Sequence, residues 1–316
     1  MNTQLTDLLD IKHPIIMAPM FLVTNTAMMV SAMNCGVAAG IPALNFRTDK
    51  AFRAALKEMR EKANGSLGVN LIVNKSNIRM REQLKTCVEL KVDFIITSLG
   101  SPKEVIEKCK PAGIKVFCDV VEETYAKKVE ELGADAVIAV NSIAGGHAGP
   151  HKPVDLIPLL KSSCNLPIIS AGGIGTKEGV DKIMAMGAAG LSIGSPFIAC
   201  HESEISDDYK NACVEYGKDD IVLTNKISGT PCTVINTPYV QKVGTEQNWL
   251  EKVLSKNKKL KKWVKMFTFL KGMKSIEKAA FSSTYKTLWC AGPSIEHTTS
   301  IQSVSEIVDK LVGIQN

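Results

Sequence analysis

One histidine in this sequence is flanked by glycines in a pattern that favours a catalytic role. His147 lies in the run IleAlaGlyGlyHisAlaGly at 143–149, directly after Ala144, Gly145 and Gly146. Such a loop can press its backbone against a planar ring and leave the imidazole projecting into a cavity. Because imidazole titrates near neutral pH, it can accept a proton from an acidic carbon or, when charged, hold an anion. An ordinary surface histidine is the alternative, which the flanking glycines disfavour.

The same histidine belongs to an HxxxH spacing with His151. On a helix this spacing would place two imidazoles on one face for zinc. Gly149 and Pro150 intervene, so a helix is not expected, and no further Cys, Asp or Glu ligand is evident nearby. We therefore predict no metal site.

A second glycine-rich run, SerAlaGlyGlyIleGlyThr at 170–176, has the composition of a phosphate-binding turn. Its paired glycines can adopt positive φ, and a helix beginning near Thr176 would direct backbone N–H groups at an anion. A tight turn without a ligand is the alternative for the glycines alone. A Gly-Ser pair after a later apolar run can add an amide and a hydroxyl, so the predicted phosphate site consists of Ser170, Ala171, Gly172, Gly173, Gly194 and Ser195.

Other short polar or turn-forming segments follow apolar runs in the same way. Asn70 can offer an amide donor and an acceptor to the edge of a pyrimidine-like ring, and backbone groups at Ala18 and Met20 could meet the other side of that ring. A purely structural turn role is the alternative for each of them. The remaining candidates of this kind are Pro19, Ser98 and Asp119.

All of these candidates belong to or follow short apolar runs, of which the first 195 residues contain eight. Each run is followed by Gly, Pro, Asn or Ser and then by an amphipathic helical pattern. Eight strand-plus-helix units can close into an all-parallel barrel, so we predict an α/β protein with a (β/α)8 TIM barrel whose strand ends carry the site. A doubly wound sheet is the alternative, but no GxGxxG follows the first strand. The predicted strands are 15–18, 37–39, 67–71, 93–97, 115–119, 136–140, 167–170 and 190–193.

The regular recurrence of short apolar runs ends at about Ser206. The pattern from there to about Ser282 is interpreted as helical. We predict that residues 206–282 are a helical lid insertion near the C-terminus, on the substrate side of a barrel built from residues 1–205 and 283–316. The segment from Val304 to Val312 is predicted to be a last amphipathic helix that closes the outer ring.

The predicted lid contains a lysine-rich stretch with apolar residues at helical spacing. Such a stretch is typical of the solvated face of an amphipathic helix, and binding to a membrane surface or a partner is the alternative. Its lysines are Lys256, Lys258, Lys259, Lys261, Lys262 and Lys265.

Composition indicates an ordinary globular protein. The chain has 316 residues, 45% of them hydrophobic, which allows one full-sized domain. A net charge of +6 is too small to select a partner class, and we predict neither a nucleic-acid nor a membrane partner. Nine cysteines without a CxxC pair, and an N-terminus without an export signal, favour reduced thiols in the cytoplasm. A homodimer is compatible with the sequence, which does not identify an interface.

The order of the motifs resembles the nitronate monooxygenase family, formerly called 2-nitropropane dioxygenases. FMN-type enoyl-acyl-carrier-protein reductases and an NAD(P)H:quinone reductase group share this scaffold. The segments at 226–236 and 289–292 also resemble the family, so the resemblance covers nearly the whole chain. The motifs that carry it are AlaProMet, GlyValAsn, AlaGlyGlyHisAlaGly, SerAlaGlyGlyIleGly and IleGlySerProPhe.

The resemblance implies a flavoprotein whose FMN phosphate rests on the turns at 172–173 and 194–195. It further implies that Ala18, Met20 and Asn70 contact the isoalloxazine ring while His147 faces its substrate side. The implied reaction is oxidation of a nitronate or nitroalkane with O2 to a carbonyl compound and nitrite. An NAD(P)H-dependent FMN reductase acting on a quinone or on an enoyl thioester such as enoyl-ACP is the alternative.

Two positions depart from the family pattern. Pro196 stands in a GlySerPro run where relatives often have GlyThrArg, which removes a cation from the region of the phosphate. Asp119 stands where the quinone-reductase group tends to carry a lysine. A carboxylate close to a flavin would disfavour its anionic reduced form, so this position bears on the choice of electron donor.

Overall fold

The carboxyl ends of eight parallel strands meet on one face of a closed barrel. The computed structural model describes residues 2–225, 231–246 and 288–314. In chain order the strands of these residues are β1 (Ile15–Met17), β2 (Ala38–Pro42), β3 (Leu67–Ile72), β4 (Phe94–Ser98), β5 (Lys115–Val120), β6 (Ala136–Val140), β7 (Gly146–His147), β8 (Ile168–Ala171), β9 (Gly190–Ile193), β10 (Ile221–Thr224) and β11 (Cys232–Ile235).

The barrel strands follow one another around the ring in chain order, β1 to β6 and then β8 and β9. The ring closes because β9 pairs with β1, with Ile16 opposite Ser192. Each of the eight predicted runs overlaps one barrel strand, so the predicted barrel is confirmed. The largest difference between the predicted and the observed strands is at β2. The predicted strand ends at residue 39, whereas β2 extends to Pro42 because its last residues pair with β3.

Helices surround the barrel, and the last one completes the ring. That helix, Val304–Val312, packs against the helices that follow the first and the seventh barrel strands, which confirms the predicted C-terminal helix. In chain order the described α-helices are α1 (Gln4–Leu9), α2 (Thr26–Asn34), α3 (Asp49–Lys62), α4 (Met80–Glu89), α5 (Lys103–Cys109), α6 (Glu123–Glu131), α7 (Pro153–Ser163), α8 (Lys177–Ala185), α9 (Asp207–Glu215), α10 (Pro238–Val243) and α11 (Val304–Val312).

Side chains fill the interior of the barrel at its amino-terminal end. Phe94 and Phe117 stack with ring centroids 5.3 Å apart, and Leu5 and Leu9 of α1 join the same buried cluster. Gly190 makes room for α1, because a Cβ at that position would lie 2.2 Å from Cδ2 of Leu5. The floor is therefore closed, and any open volume must lie at the carboxyl ends of the strands.

A small antiparallel sheet stands beside the barrel, in the order β10, β11, β7. The helical interpretation of the 206–282 segment is therefore wrong over β10 and β11, although α9 and α10 are helical. Both strands are rich in β-branched residues, and pairing with each other and with β7 satisfies their backbone groups. This segment thus contains β11, the strand that pairs with the short strand β7 in which His147 lies.

Several sequence-based expectations concern residues that the structure does not describe. The lysine-rich stretch at 256–265 and the rest of the predicted lid at 247–282 lie outside the described residues. Within the described ranges, no helix is both long enough and apolar enough to cross a membrane. All nine cysteines are described, and none forms a disulfide.

Candidate active site

A cavity of about 660 Å³ opens at the carboxyl ends of the barrel strands. Small-molecule and cofactor sites typically enclose about 300–1,000 Å³, so the volume suits such a ligand. The structure brings the sequence-predicted site residues together, and all except Ser170 line the cavity. Those that line it are Ala18, Pro19, Met20, Asn70, Ser98, Asp119, Ala144, Gly145, Gly146, His147, Ala171, Gly172, Gly173, Gly194 and Ser195.

Ser170 is buried in β8 and does not line the cavity. Its neighbours Ile169 and Ala171 pack with the barrel interior, and successive side chains of a strand point to opposite faces. The side chain of Ser170 is therefore directed toward the layer between strands and helices, and its hydroxyl has no hydrogen-bond partner within the described residues. The turn that follows Ser170 thus lines the cavity, whereas the side chain of Ser170 does not.

Asn141 joins the two glycine-rich loops, a role that the sequence interpretation missed. Its side-chain amide donates to the carbonyl of Gly172 over 3.1 Å and accepts from the N–H of Ile143 over 3.0 Å. Its backbone carbonyl accepts from the N–H groups of Ala144 and Gly149. One fully buried residue thus fixes the positions of the histidine loop (143–149) and of the predicted phosphate turn (170–176) relative to each other. The available signal was its place directly after a predicted strand.

The phosphate turn has the conformation that its glycines predict. Gly172 and Gly173 have φ values of 116° and 78°, which side chains rarely adopt. A Cβ at Gly172 would lie 2.4 Å from Oδ1 of Asn141, so close packing of the two loops also requires glycine there. The N–H groups of Gly173, Gly194 and Ser195 donate to no other group of the described chain. Three unused donors in the wall of one cavity fit an anion such as a phosphate.

The segment at 288–292 closes the site from the other side. The N–H of Gly292 donates to Oγ of Ser195 over 2.9 Å, so the Ser195 hydroxyl is already positioned by the protein. A Cβ at Gly145 would lie 3.0 Å from the nitrogen of Gly292, which shows how closely the histidine loop and this segment approach. Pro196 is buried in the short helical turn Ser195–Phe197 behind the cavity.

His147 is held by the small sheet rather than by a flexible loop. It lies in β7, where its register partner on β11 is Cys232. The Thr233 hydroxyl donates to the carbonyl of Ala144 over 2.8 Å, which fixes the start of the loop. The imidazole lines the cavity and is otherwise enclosed by protein, and this burial lowers the pKa of His147 below its ordinary 6.5. The neutral form therefore predominates near pH 7, as a general base requires.

A chain of hydrogen bonds crosses three adjacent strand ends on another part of the wall. The Asn70 amide donates to Oγ of Ser98 over 2.7 Å and to the carbonyl of Ile96 over 3.2 Å. The Ser98 hydroxyl donates in turn to Oδ2 of Asp119 over 2.5 Å. Both amide hydrogens of Asn70 are thus engaged by β4, which leaves its carbonyl oxygen as the group for a ligand. This narrows the sequence expectation that Asn70 offers both a donor and an acceptor.

Burial raises the pKa of Asp119 from 3.8 to about 6, and the hydrogen bond from Ser98 limits the rise. The side chain keeps some contact with the open cavity, yet protein surrounds it on its other sides. No positive charge offsets its burial, because no lysine or arginine is among the described residues that line the cavity. Asp119 is therefore partly protonated in mildly acidic solution and charged above that range.

The rest of the wall is mainly apolar and aromatic. Tyr125 donates from its hydroxyl to the carbonyl of Gly100, and Leu99 has a positive φ of 61° at the end of β4. Leu99 directly follows the predicted candidate Ser98, whereas the local pattern around Tyr125 indicates no site role. Wall residues found only in the structure include Phe21, Leu44, Tyr125, Tyr209 and Cys290.

The chain matches a known protein family and is similar to several known proteins. The sequence model described as nitronate monooxygenase matches residues 2–313. A relative from Rhodococcus jostii (strain RHA1), named (3aS,4S,5R,7aS)-5-hydroxy-7a-methyl-1-oxo-octahydro-1H-indene-4-carboxyl-CoA dehydrogenase, is 30% identical over 76% of this chain and 67% of its own length. A protein named "Probable nitronate monooxygenase" from Staphylococcus saprophyticus is 28% identical over 77% of this chain and 81% of its own length. The solved structure of FabK from Thermotoga maritima is 28% identical, with a TM-score of 0.86, and the match covers 99% of this chain and 96% of that chain.

We expect Asn141→Ala to loosen both glycine-rich loops. The variant loses the side-chain bonds to Gly172 and Ile143 in a buried place, so the free energy of unfolding should fall by about 2–3 kcal/mol. Hydrogen exchange of the backbone amides at 143–149 should accelerate in parallel. The matched control is Asn34→Ala, an exposed amide whose side chain donates only to the Lys62 carbonyl over 3.5 Å, and it should change stability by less than about 0.5 kcal/mol. Equal effects of the two substitutions would contradict the bridging role.

We expect Asp119→Asn to raise stability in a pH-dependent way. The folded state keeps the Asp119 proton up to about pH 6, whereas an unfolded aspartic acid loses it near 3.8. The folded state binds more protons between these values, so the free energy of unfolding of the parent falls as pH rises through that window.

The gain from Asp119→Asn should therefore reach about 1–3 kcal/mol near pH 7.5 and shrink toward pH 4. Urea unfolding of the parent and the variant across this range measures it. Asp155→Asn, which changes a carboxylate at the start of α7, is the control and should show no comparable gain. A gain that stays constant with pH would show that Asp119 does not titrate in this window.

Proposed function

The chain belongs to the nitronate monooxygenase family, and we propose that it uses FMN and O2 to oxidise a nitronate or nitroalkane to a carbonyl compound and nitrite. The family makes it a flavin-dependent oxidoreductase, and the proposal specifies the cofactor and the substrate. The observation that carries it is a neutral, enclosed imidazole, His147, in the same cavity wall as the unused amides of the phosphate turns.

The phosphate of FMN would accept hydrogen bonds from the N–H groups of Gly173, Gly194 and Ser195. Backbone groups at Ala18 and Met20 would contact the ring. The carbonyl oxygen of Asn70 would accept from a ring N–H, because its amide hydrogens are bonded to β4. FMN, when bound, would supply a two-electron acceptor for substrate oxidation and a donor of those electrons to O2.

His147 would act on the carbon next to the nitro group. Because its pKa is lowered, the imidazole is neutral near pH 7 and can accept a proton from that carbon of a nitroalkane. When the substrate arrives already deprotonated, the same ring can donate its N–H to a nitronate oxygen. Pairing of β7 with β11 holds the ring in place for either role.

The lining of the cavity favours a substrate without a carboxylate. Asp119 and Glu122 face the cavity, and no lysine or arginine is among its described lining residues. A substrate that carries a second negative charge would be repelled without a compensating cation. A short alkyl chain, in contrast, matches the apolar side chains of Phe21 and Leu44. We therefore propose an alkyl nitronate or a neutral nitroalkane as the substrate class.

The second candidate is an NAD(P)H-dependent FMN reductase acting on a quinone or an enoyl thioester. Its support is the R. jostii relative, which is named as a dehydrogenase of a CoA ester. The apolar wall would also accommodate an acyl chain. In this reaction His147 would donate a hydrogen bond to the substrate carbonyl rather than remove a proton from carbon.

We expect the two candidates to separate in an anaerobic titration of the purified yellow protein. An alkyl nitronate such as ethyl nitronate should bleach the flavin absorbance, whereas NADH and NADPH should not. Admission of air should restore the colour and release nitrite. Rapid bleaching by a nicotinamide without a response to the nitronate would replace the first candidate by the second. A protein that neither carries nor takes up a flavin would exclude both.

We expect His147→Ala to retain its flavin and lose roughly 10²-fold or more in turnover of a neutral nitroalkane, because the proton acceptor is missing. In the parent, kcat/KM should fall as pH drops through the pKa of His147, which lies below 6.5, and should stay level above it. His151→Ala, which changes the other nearby imidazole but does not alter the cavity lining, should turn over as the parent does. Full activity of His147→Ala would move the proton transfer to another group.

A further inference from the structure

Two cysteines face each other across neighbouring segments of the cavity wall. Cys232 lies in β11, and Cys290 lies in the 288–292 segment. Their sulfur atoms are 3.7 Å apart, and both side chains line the cavity. Cys232 is almost fully buried, whereas Cys290 is half-buried and thus the more accessible of the two.

The backbone on both sides of Cys290 is anchored. The Tyr209 hydroxyl donates to the Cys290 carbonyl over 2.6 Å, and the rings of Tyr209 and Trp289 stack at 5.4 Å. Two residues further on, the N–H of Gly292 donates to Ser195. Cys232 is held equally well, because β11 pairs with strands on both sides. The fold therefore fixes the backbone positions that bring the two sulfur atoms close together.

The geometry points to an oxidisable dithiol: we propose that Cys232 and Cys290 are a modification site, which a two-electron oxidant of the small-disulfide class converts into a disulfide across the cavity wall. A disulfide requires a sulfur–sulfur distance of about 2.0 Å, so the two atoms must approach by roughly 1.7 Å. Adjustment of two side-chain torsions can supply a movement of this size. The reaction needs no flavin chemistry and does not depend on the proposed function.

The exchange proceeds in two steps that balance. The Cys290 sulfur, as thiolate, attacks the reagent disulfide, and one reagent thiol leaves with the Cys290 proton. The Cys232 sulfur then attacks the mixed disulfide, and the second reagent thiol leaves with the Cys232 proton. Two S–H bonds of the protein are broken and one S–S bond is formed, while the reagent is reduced to two thiols.

The local environment assigns the order of these steps. The hydrogen bond with Cys290, together with burial, holds the pKa of Cys232 well above its ordinary value. A thiol that resists ionisation is a poor first nucleophile, but it can act as the resolving group once a disulfide lies against it. The more exposed Cys290 therefore reacts first.

Formation of the disulfide would alter the site that the two cysteines line. Cys232 is the register partner of His147, and Cys290 lies two residues before Gly292, which positions Ser195. A covalent link between them ties the histidine-bearing sheet to the segment beside the phosphate turn. The disulfide form should therefore admit ligands to the cavity more slowly than the dithiol form.

The test is peptide mapping of the full chain as purified, after incubation with bis(2-hydroxyethyl) disulfide. Non-reducing digestion and mass spectrometry should find a peptide pair joined through Cys232 and Cys290, with the loss of two hydrogens, and dithiothreitol should reverse it. In the Cys232→Ser variant, Cys290 should instead retain one reagent group as a stable mixed disulfide. In the Cys290→Ser variant, Cys232 should remain unmodified.

Cys35→Ser is the matched control, because Cys35 is the other half-buried cysteine and lies at the end of α2, away from the cavity. This variant should form the Cys232–Cys290 link as the parent does. Failure of the parent to form the link under conditions that modify Cys35 would overturn the proposal. Linkage of Cys290 to Cys213, the buried thiol on α9, would also overturn it. Both outcomes are read in the parent chain, so neither depends on the folding of a variant.

Discussion

The site depends on one buried amide, that of Asn141, which ties the end of β6 to the turn after β8. Its side chain bonds to Gly172 and Ile143, and its backbone carbonyl accepts from the far end of the histidine loop. Ordering two glycine-rich loops costs conformational entropy, and the hydrogen bonds of Asn141 offset part of that cost. Because a fully buried amide must satisfy its hydrogen bonds, the bonds of Asn141 hold the loops where a ligand needs them.

The segment that follows the last barrel strand contains β10 and β11, and it holds the loop that carries His147 in place. Its strand β11 pairs with β7, and the Thr233 hydroxyl bonds to the carbonyl of Ala144. A histidine held by ladder hydrogen bonds has less freedom than one in an open loop, which would favour the proton transfer that we propose for His147. The described part of the predicted lid and the loop that carries His147 therefore form one structural unit.

Desolvation sets the charges in the cavity. It keeps His147 neutral and raises the pKa of Asp119 to about 6, and no described cation of the lining offsets the burial of the Asp119 carboxylate. Pro196 fits this picture, since it is a buried, uncharged residue directly after Ser195. With little positive charge in the wall, the proposed phosphate binding would rely on backbone amides, and the proposed substrate would lack a carboxylate.

The sequence by itself determined the barrel, its eight strands and the C-terminal helix α11. It also predicted a set of site residues, all of which except Ser170 line the cavity. These features are local: strand and helix periods are visible in short windows, and parallel strands bring their carboxyl ends to one face. Only the tertiary structure decided the bridge made by Asn141, the pairing of β11 with the histidine strand and the meeting of two cysteines. Those contacts join residues 31, 89 and 58 positions apart in the chain. No local pattern records them, because the partners become neighbours only when loops from different strand ends pack around the same cavity.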